Sequence, residues 1–231
     1  MISQKILLGL MRLLIKLLLH LEVTGVENIP ATGPAIIIIN HIAFLDPVIV
    51  CAASPRVVIP MAKKEAFDSI LLGLFMKGFG AIPVQRGAAD TQAVKSALWV
   101  LQHNGVILVA PEGTRSPTCQ MQRGKEGAVM LALRTRAWLV PVGITGTQGI
   151  RAFWTRLKRA PIRLSIGQPF RLRSISDNGR PSRAEMSAMT EEAMYRLARQ
   201  LPAEFRGVYS HLDKATEVYV IPFGNESVKE P

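Results

Sequence analysis

Six largely apolar runs limit what this chain can fold into: Ala35–Asn40, continuous as far as Ile39, and similar runs at Val57–Ala62, Ala81–Val84, Val106–Ala110, Trp138–Thr145 and Ile162–Gly167. A half-exposed strand alternates apolar and polar residues, whereas a strand covered on both faces has no need to alternate and reads as continuous apolar sequence. Helix-patterned stretches stand between several of these runs, at Pro47–Ala53, Lys63–Lys77, Ala89–Asn104, Gly124–Ala137 and Gln148–Leu157, and a further amphipathic helix is expected over Arg183–Leu201. Strands alternating with helices predict an α/β fold, a mainly parallel mixed sheet flanked by helices. A chain of 231 residues holds one such domain, and the short connections leave no interdomain linker. The expected division is a membrane-associating helix over 1–20, the main domain over 21–210 and a loosely attached C-terminal tail over 211–231.

The amino terminus, ISQKILLGLMRLLIKLLLH, is almost wholly apolar. At helical spacing Lys5, Gly9, Arg12, Lys16 and His20 fall within an arc of roughly 80°. A membrane-spanning helix needs about twenty apolar residues, and Arg12 and Lys16 interrupt this one. No signal-peptide core or cleavage site is evident. An interfacial helix fits, its apolar body in the acyl region and its cations toward anionic headgroups; the alternative is a core helix of a soluble domain. The greasy Lys63–Lys77 segment divides similarly between core and a second bilayer contact. The net charge of +11 is uneven: from Arg115 to Arg163 there are ten Lys or Arg residues against one acid, Glu126. Such a face attracts polyanions: lipid headgroups, an acidic carrier protein, coenzyme phosphates or nucleic acid. Cys51 and Cys119 form no CxxC pair, which points to a reducing compartment.

In open α/β sheets, ligands bind beyond the carboxyl ends of the strands. Four of those ends carry chemistry: Asn40-His41 with Asp46, the segment GAIPVQR ending at Arg86, the segment PEGTRS at 111–116, and VPVG at 140–143. Asp46 before Pro47 suits a helix N-cap with proline at the first helical position. The loop between could fold the carboxylate back onto one imidazole nitrogen of His41, leaving the other to remove a proton. The bland alternative is an ordinary cap and a satisfied loop histidine. Arg86, Arg115 and Lys63 each follow a strand, and Gly113 permits backbone amides to face an anion; alternatively, Glu112 pairs with Arg115 in a surface salt bridge. There is no GxSxG elbow, no HExxH or Cys/His cluster, no GxGxxG and no Walker A motif. A histidine and carboxylate without a nucleophile beside them suggest general-base activation of a substrate hydroxyl.

Asn40-His41-x4-Asp46, GAIPVQR, PEGTRS and VPVG, in this order, resemble the 1-acylglycerol-3-phosphate (lysophosphatidic acid) acyltransferase family, from about Val23 to Gly167. Many members carry serine two residues after the histidine, where this chain has Ala43, and Pro83 is also atypical. The resemblance implies a glycerolipid acyltransferase-like fold and transfer of a fatty acyl group from a thioester, acyl-CoA or acyl-carrier protein, to a lysophospholipid hydroxyl. It implies His41 as general base and Asp46 as its orienting carboxylate. Lys63, Arg86, Glu112, Gly113, Thr114 and Arg115 then form the substrate-binding site for glycerol phosphate, with no metal or organic cofactor. The expected partners are a lysophospholipid acceptor, the acyl donor and an anionic membrane surface, on its cytoplasmic face, with no nucleic acid. Rival readings are acylation of another lysolipid or of glycerol-3-phosphate, and a noncatalytic membrane-surface lipid-binding protein. A nucleic-acid binder is weaker, since the basic residues lack interleaved aromatics.

Overall fold

The computed structural model describes residues 4–68, 73, 76–85, 90–176 and 180–224. Helix α1 (Gln4–Leu18) runs directly into strand β1 (Leu19–Thr24), and the chain then alternates through β2 (Ala35–Ile39), α2 (Asp46–Ala53), β3 (Val58–Lys63), β4 (Ile82–Val84), α3 (Thr91–Gln102), β5 (Val106–Val109), α4 (Gly127–Thr135) and β6 (Trp138–Thr145). A short helix α5 (Ile150–Trp154), strands β7 (Ala160–Ile166) and β8 (Phe170–Leu172), the long α6 (Arg183–Ala198) and β9 (Val220–Pro222) complete it. The sheet order is β1-β7-β6-β2-β5-β3-β4, with β8 on β6 and β9 on β8. Pairings from β6 to β4 are parallel. β7 lies antiparallel to β6, and β1 parallel to β7. The sheet is therefore mixed and mainly parallel, as the apolar runs predict.

Strand β2 shows why its isoleucines run without a break. Side chains alternate across a strand; Ile37 and Ile39 pack with Ile49 of α2 and Leu8 of α1 on one face. Ile36 and Ile38 pack with Ala97 of α3, Leu131 of α4 and Leu197 of α6 on the other. Both faces are covered, so both phases of the strand are apolar. α6 begins at Ser182, whose side chain accepts from the Glu185 amide while the Glu185 carboxylate accepts from the Ser182 amide. This reciprocal cap satisfies two otherwise orphaned donors.

Three expectations change. The segment read as a helix over Lys63–Lys77 begins as strand: β3 extends through Lys63 and a 3₁₀ turn covers Lys64–Phe67, while 69–72 and 74–75 lie outside the described residues. Met76 and Phe79 from its far end are buried in the core. The tail is tied down as far as β9, because Thr216, Val218 and Tyr219 all donate to the buried Glu192 carboxylate of α6. In α1, the exposed Arg12 is not free for headgroups alone; its guanidinium donates to the carbonyls of Ala52 and Ser54. A cation at the C-terminal end of α2 satisfies carbonyls that the helix leaves unpaired.

Candidate active site

The site forms where the parallel strands end. Asn40, the first residue past β2, is buried; its amide donates to the Ile144 carbonyl (3.0 Å), and the Ile144 N–H donates back to its Oδ1 (2.8 Å). This clasp fixes the end of β2 against β6 and sets the point from which His41 leaves the sheet. Asp46 then turns backward. Its Oδ2 accepts the N–H groups of Ile42 and Ala43, each at 2.7 Å, and stands 3.0 Å from His41 Nδ1. Its Oδ1 accepts the Thr147 hydroxyl at 2.6 Å. The carboxylate is fully buried. The expected N-cap role of Asp46 is corrected by this geometry. Leu45 holds the cap position and α2 starts at Asp46, because the carboxylate serves the loop amides behind it rather than the helix amides ahead.

With Nδ1 engaged by a carboxylate, the neutral imidazole carries its proton there and presents Nε2 as a base. His41 is only 12% exposed at its side chain and lines the main cavity. Among the described residues, the ring's hydrogen bonding is to Asp46 through Nδ1, with none to Nε2 and none from a serine or cysteine side chain. This arrangement supports proton abstraction from a bound substrate.

The 111–116 loop is fastened to His41 from both sides. The His41 N–H donates to Glu112 Oε1 (3.1 Å), and the Ser116 N–H donates to the His41 carbonyl (2.7 Å). The resemblance implies that Glu112 lines the phosphate site, yet its carboxylate is buried and also accepts the Gln122 N–H at 2.9 Å. It organises two loops and forms no ion pair with Arg115. Burial pushes its carboxyl above the usual glutamate range, opposed by the Gln122 and His41 amides. Gly113 adopts φ 73°, a left-handed conformation natural to glycine. A Cβ there would also meet Lys125 Nζ at 2.8 Å, so the absent side chain leaves the lysine its place.

A cavity of about 750 Å³ opens from His41, and Lys63, Gly113, Arg115 and Lys125 line it. Lys63 is paired with Glu65 at 3.2 Å; neither Arg115 nor Lys125 has an acidic partner among the described residues. Thr114 is exposed and is not among the residues that line the cavity. Arg86 lies outside the described residues. Lys125 and Thr147 are the residues that sequence reasoning missed. A signal for Lys125 is present in QRGKEG, a cation between glycines before a helix and after the PEGTRS strand end. For Thr147 only the glycines flanking GITGTQG hint at a tight loop. Deeper in the cavity, Met61, Val94, Leu108, Ala128 and Leu131 make an apolar wall. No group of three or more His, Cys, Asp or Glu side chains gathers for a metal among the described residues.

A carboxylate-held histidine at a strand edge, beside an apolar cavity and two cations with no acidic partner among the described residues, suits proton abstraction from an anionic, partly apolar substrate. Comparison with known proteins makes the class specific. A family model described as Acyltransferase matches residues 20–145, and the chain belongs to the acyltransferase family. It is 29% identical over 177 residues to a 1-acyl-sn-glycerol-3-phosphate acyltransferase of Bacillus subtilis, a match covering 76% of this chain and 85% of that one. It is 32% identical over 149 residues to a protein of the same name from Borreliella burgdorferi, covering 60% and 58%. The crystal structure of the 1-acyl-sn-glycerophosphate (LPA) acyltransferase PlsC from Thermotoga maritima shares the fold, with a TM-score of 0.62 at 22% identity, covering 85% of this chain and 79% of that one.

Proposed function

We propose that this acyltransferase moves a fatty acyl group from an acyl thioester to the free hydroxyl of 1-acylglycerol-3-phosphate, giving phosphatidic acid. The observation that carries this reading is His41, held by Asp46, lining a cavity that Gly113, Arg115 and Lys125 also line. Two cations without acidic partners among the described residues suit a phosphate dianion, and guanidinium binds it in a forked geometry. The apolar wall suits acyl chains. The relatives' names point to the same acceptor.

His41 Nε2 takes the proton of the acceptor hydroxyl as its oxygen attacks the thioester carbonyl. The tetrahedral intermediate collapses with cleavage of the C–S bond, and the imidazolium returns the proton to the departing thiolate. Base assistance of this kind is worth about 10²–10⁴-fold, and phosphate anchoring adds proximity. No metal or organic cofactor takes part. The lipid acceptor calls for a membrane surface, and α1 suits such a contact because Ile6, Leu10, Leu13, Leu14 and Leu17 are exposed. No helix of the described residues is long and apolar enough to cross a membrane; the reading proposed is contact with one leaflet, and the cytoplasmic face is part of that proposal.

The test supplies purified enzyme with labelled acyl-CoA or acyl–acyl carrier protein and a panel of acceptors: 1-acylglycerol-3-phosphate, glycerol-3-phosphate and other lysolipids. The first acceptor is expected to be labelled best, and transfer to none of them sinks the enzymatic reading. His41→Ala is expected to abolish transfer while sedimentation with anionic vesicles persists. A trapped covalent acyl-enzyme would overturn direct attack.

A further inference from the structure

A second apolar element meets the end of α1, and the sheet register places it on the catalytic edge. β6 and β7 are antiparallel with Thr145 opposite Arg163. Residues before Arg163, back through Ala160 to the end of α5, therefore stand beyond the carboxyl end of β6. That end also delivers Thr147 to Asp46, and Asp46 holds His41. The connection between α5 and β7 thus shares the edge on which the base works.

The surface of this connection is unusual. Leu157 is 98% exposed, and Trp154 is 40% exposed with its indole N–H donating to the Leu18 carbonyl at 3.4 Å. Trp154 is thereby joined to the last turn of α1, where Leu14, Leu17 and Leu18 are exposed. Two separate elements so present one continuous apolar strip. Cations surround it: Arg151, Arg156, Lys158 and Arg159 are all exposed, and no acid occurs from Gly146 to Ile162. Arg159 donates to the Leu19 carbonyl and shares a cleft of about 200 Å³ with Arg12 and Lys16 of α1.

We propose that the Trp154–Arg159 connection is a second membrane-contact element, which together with the leucines of α1 seats this edge of the sheet on an anionic phospholipid bilayer. The proposal rests on the membrane-surface reading above and adds where and in what orientation the contact is made. An amphipathic indole suits the headgroup level, a leucine the acyl boundary, and arginines and lysines the lipid phosphates. A second copy of the chain is a poor occupant, because a two-fold contact would set these cations against each other. An acidic protein alone leaves the leucine strip of α1 without an apolar partner. Seated this way, the strand ends that carry His41 face the bilayer that holds the acceptor.

The full-length protein is sedimented with vesicles of phosphatidylcholine containing phosphatidylglycerol, an assay that needs no turnover. Leu157→Asp and Trp154→Ser are each expected to weaken partitioning by roughly tenfold, and Arg156→Gln with Lys158→Gln by about fivefold per charge. Leu157 touches little, so its variant keeps the fold. Trp99→Ser, an exposed tryptophan at the far end of α3, is expected to change nothing. In a Trp99→Phe background, where Trp138 is buried, brominated lipids are expected to quench Trp154 fluorescence. Partitioning that is lost in Leu13→Asp but unaffected in Leu157→Asp and Trp154→Ser overturns the second element and leaves the α1 reading intact. A wild-type protein that binds no vesicles removes both. Unchanged vesicle binding with a lost dimer or a lost carrier-protein complex assigns the strip to a protein partner and also overturns the proposal.

Discussion

Thr147→Val removes one hydroxyl and little volume, which makes it the sharpest probe of how His41 is held. Asp46 Oδ2 has three partners, but among the described residues Oδ1 is bonded by the Thr147 hydroxyl, at 2.6 Å. Both residues are buried, so no bulk water replaces the lost donor. A hydrogen bond to a charged group is worth about 1.5–3 kcal/mol. If the carboxylate rotates to seek another donor, its 3.0 Å contact with Nδ1 loosens and the base loses its fixed tautomer. Carried wholly into the barrier, that range lowers kcat by about 10- to 160-fold. Initial rates of transfer from acyl-CoA to 1-acylglycerol-3-phosphate measure it. Thr147 does not line the cavity, so the acceptor KM is expected to stay constant and Thr147→Ser to restore kcat. A folded Thr147→Val enzyme with wild-type kcat would refute the orienting role; a loss appearing only in KM would refute the placement of Thr147 behind the base.

Lys125→Gln and Arg115→Gln are each expected to raise the acceptor KM by roughly tenfold or more, the loss of one charge-assisted contact, as initial-rate kinetics would read. Asn40→Ala strands the amide and carbonyl of Ile144 in the core, a cost of about 2–5 kcal/mol measurable as a fall in urea midpoint. The Glu185 carboxyl is held down at about 2, first by the Ser176 hydroxyl and then by the Ser182 amide. A depressed carboxyl contributes stability above its unfolded value near 4.5 and loses it as pH falls toward about 2. The wild-type urea midpoint is therefore expected to drop across that window, and Glu185→Gln to flatten the drop.

The residues themselves decide what could be read without coordinates. Fully covered strands have to be apolar in both phases, so β2, β5 and β6 announce themselves. His41 and Asp46 are five residues apart, close enough for one loop to impose their contact whatever the rest of the fold does. Strand direction is less visible: β1 and β7 run the opposite way from β6, and although their alternating polar residues mark half-exposed strands, apolar content carries no arrow. Glu112 shows a different limit. A carboxylate beside an arginine in PEGTRS is compatible with ligand contact, a surface ion pair or amide binding. The structure chooses the last because His41 and Gln122 arrive with unpaired N–H groups, and neither arrival is encoded within the motif. Thr147 is the extreme case. Serine, threonine, tyrosine or a backbone amide can each supply a donor to a buried carboxylate, so residue type predicts nothing. Its position follows only from β6 lying beside β2 across 101 residues. Spacing can therefore locate a base and its first partner, while what holds that partner depends on which strands are neighbours.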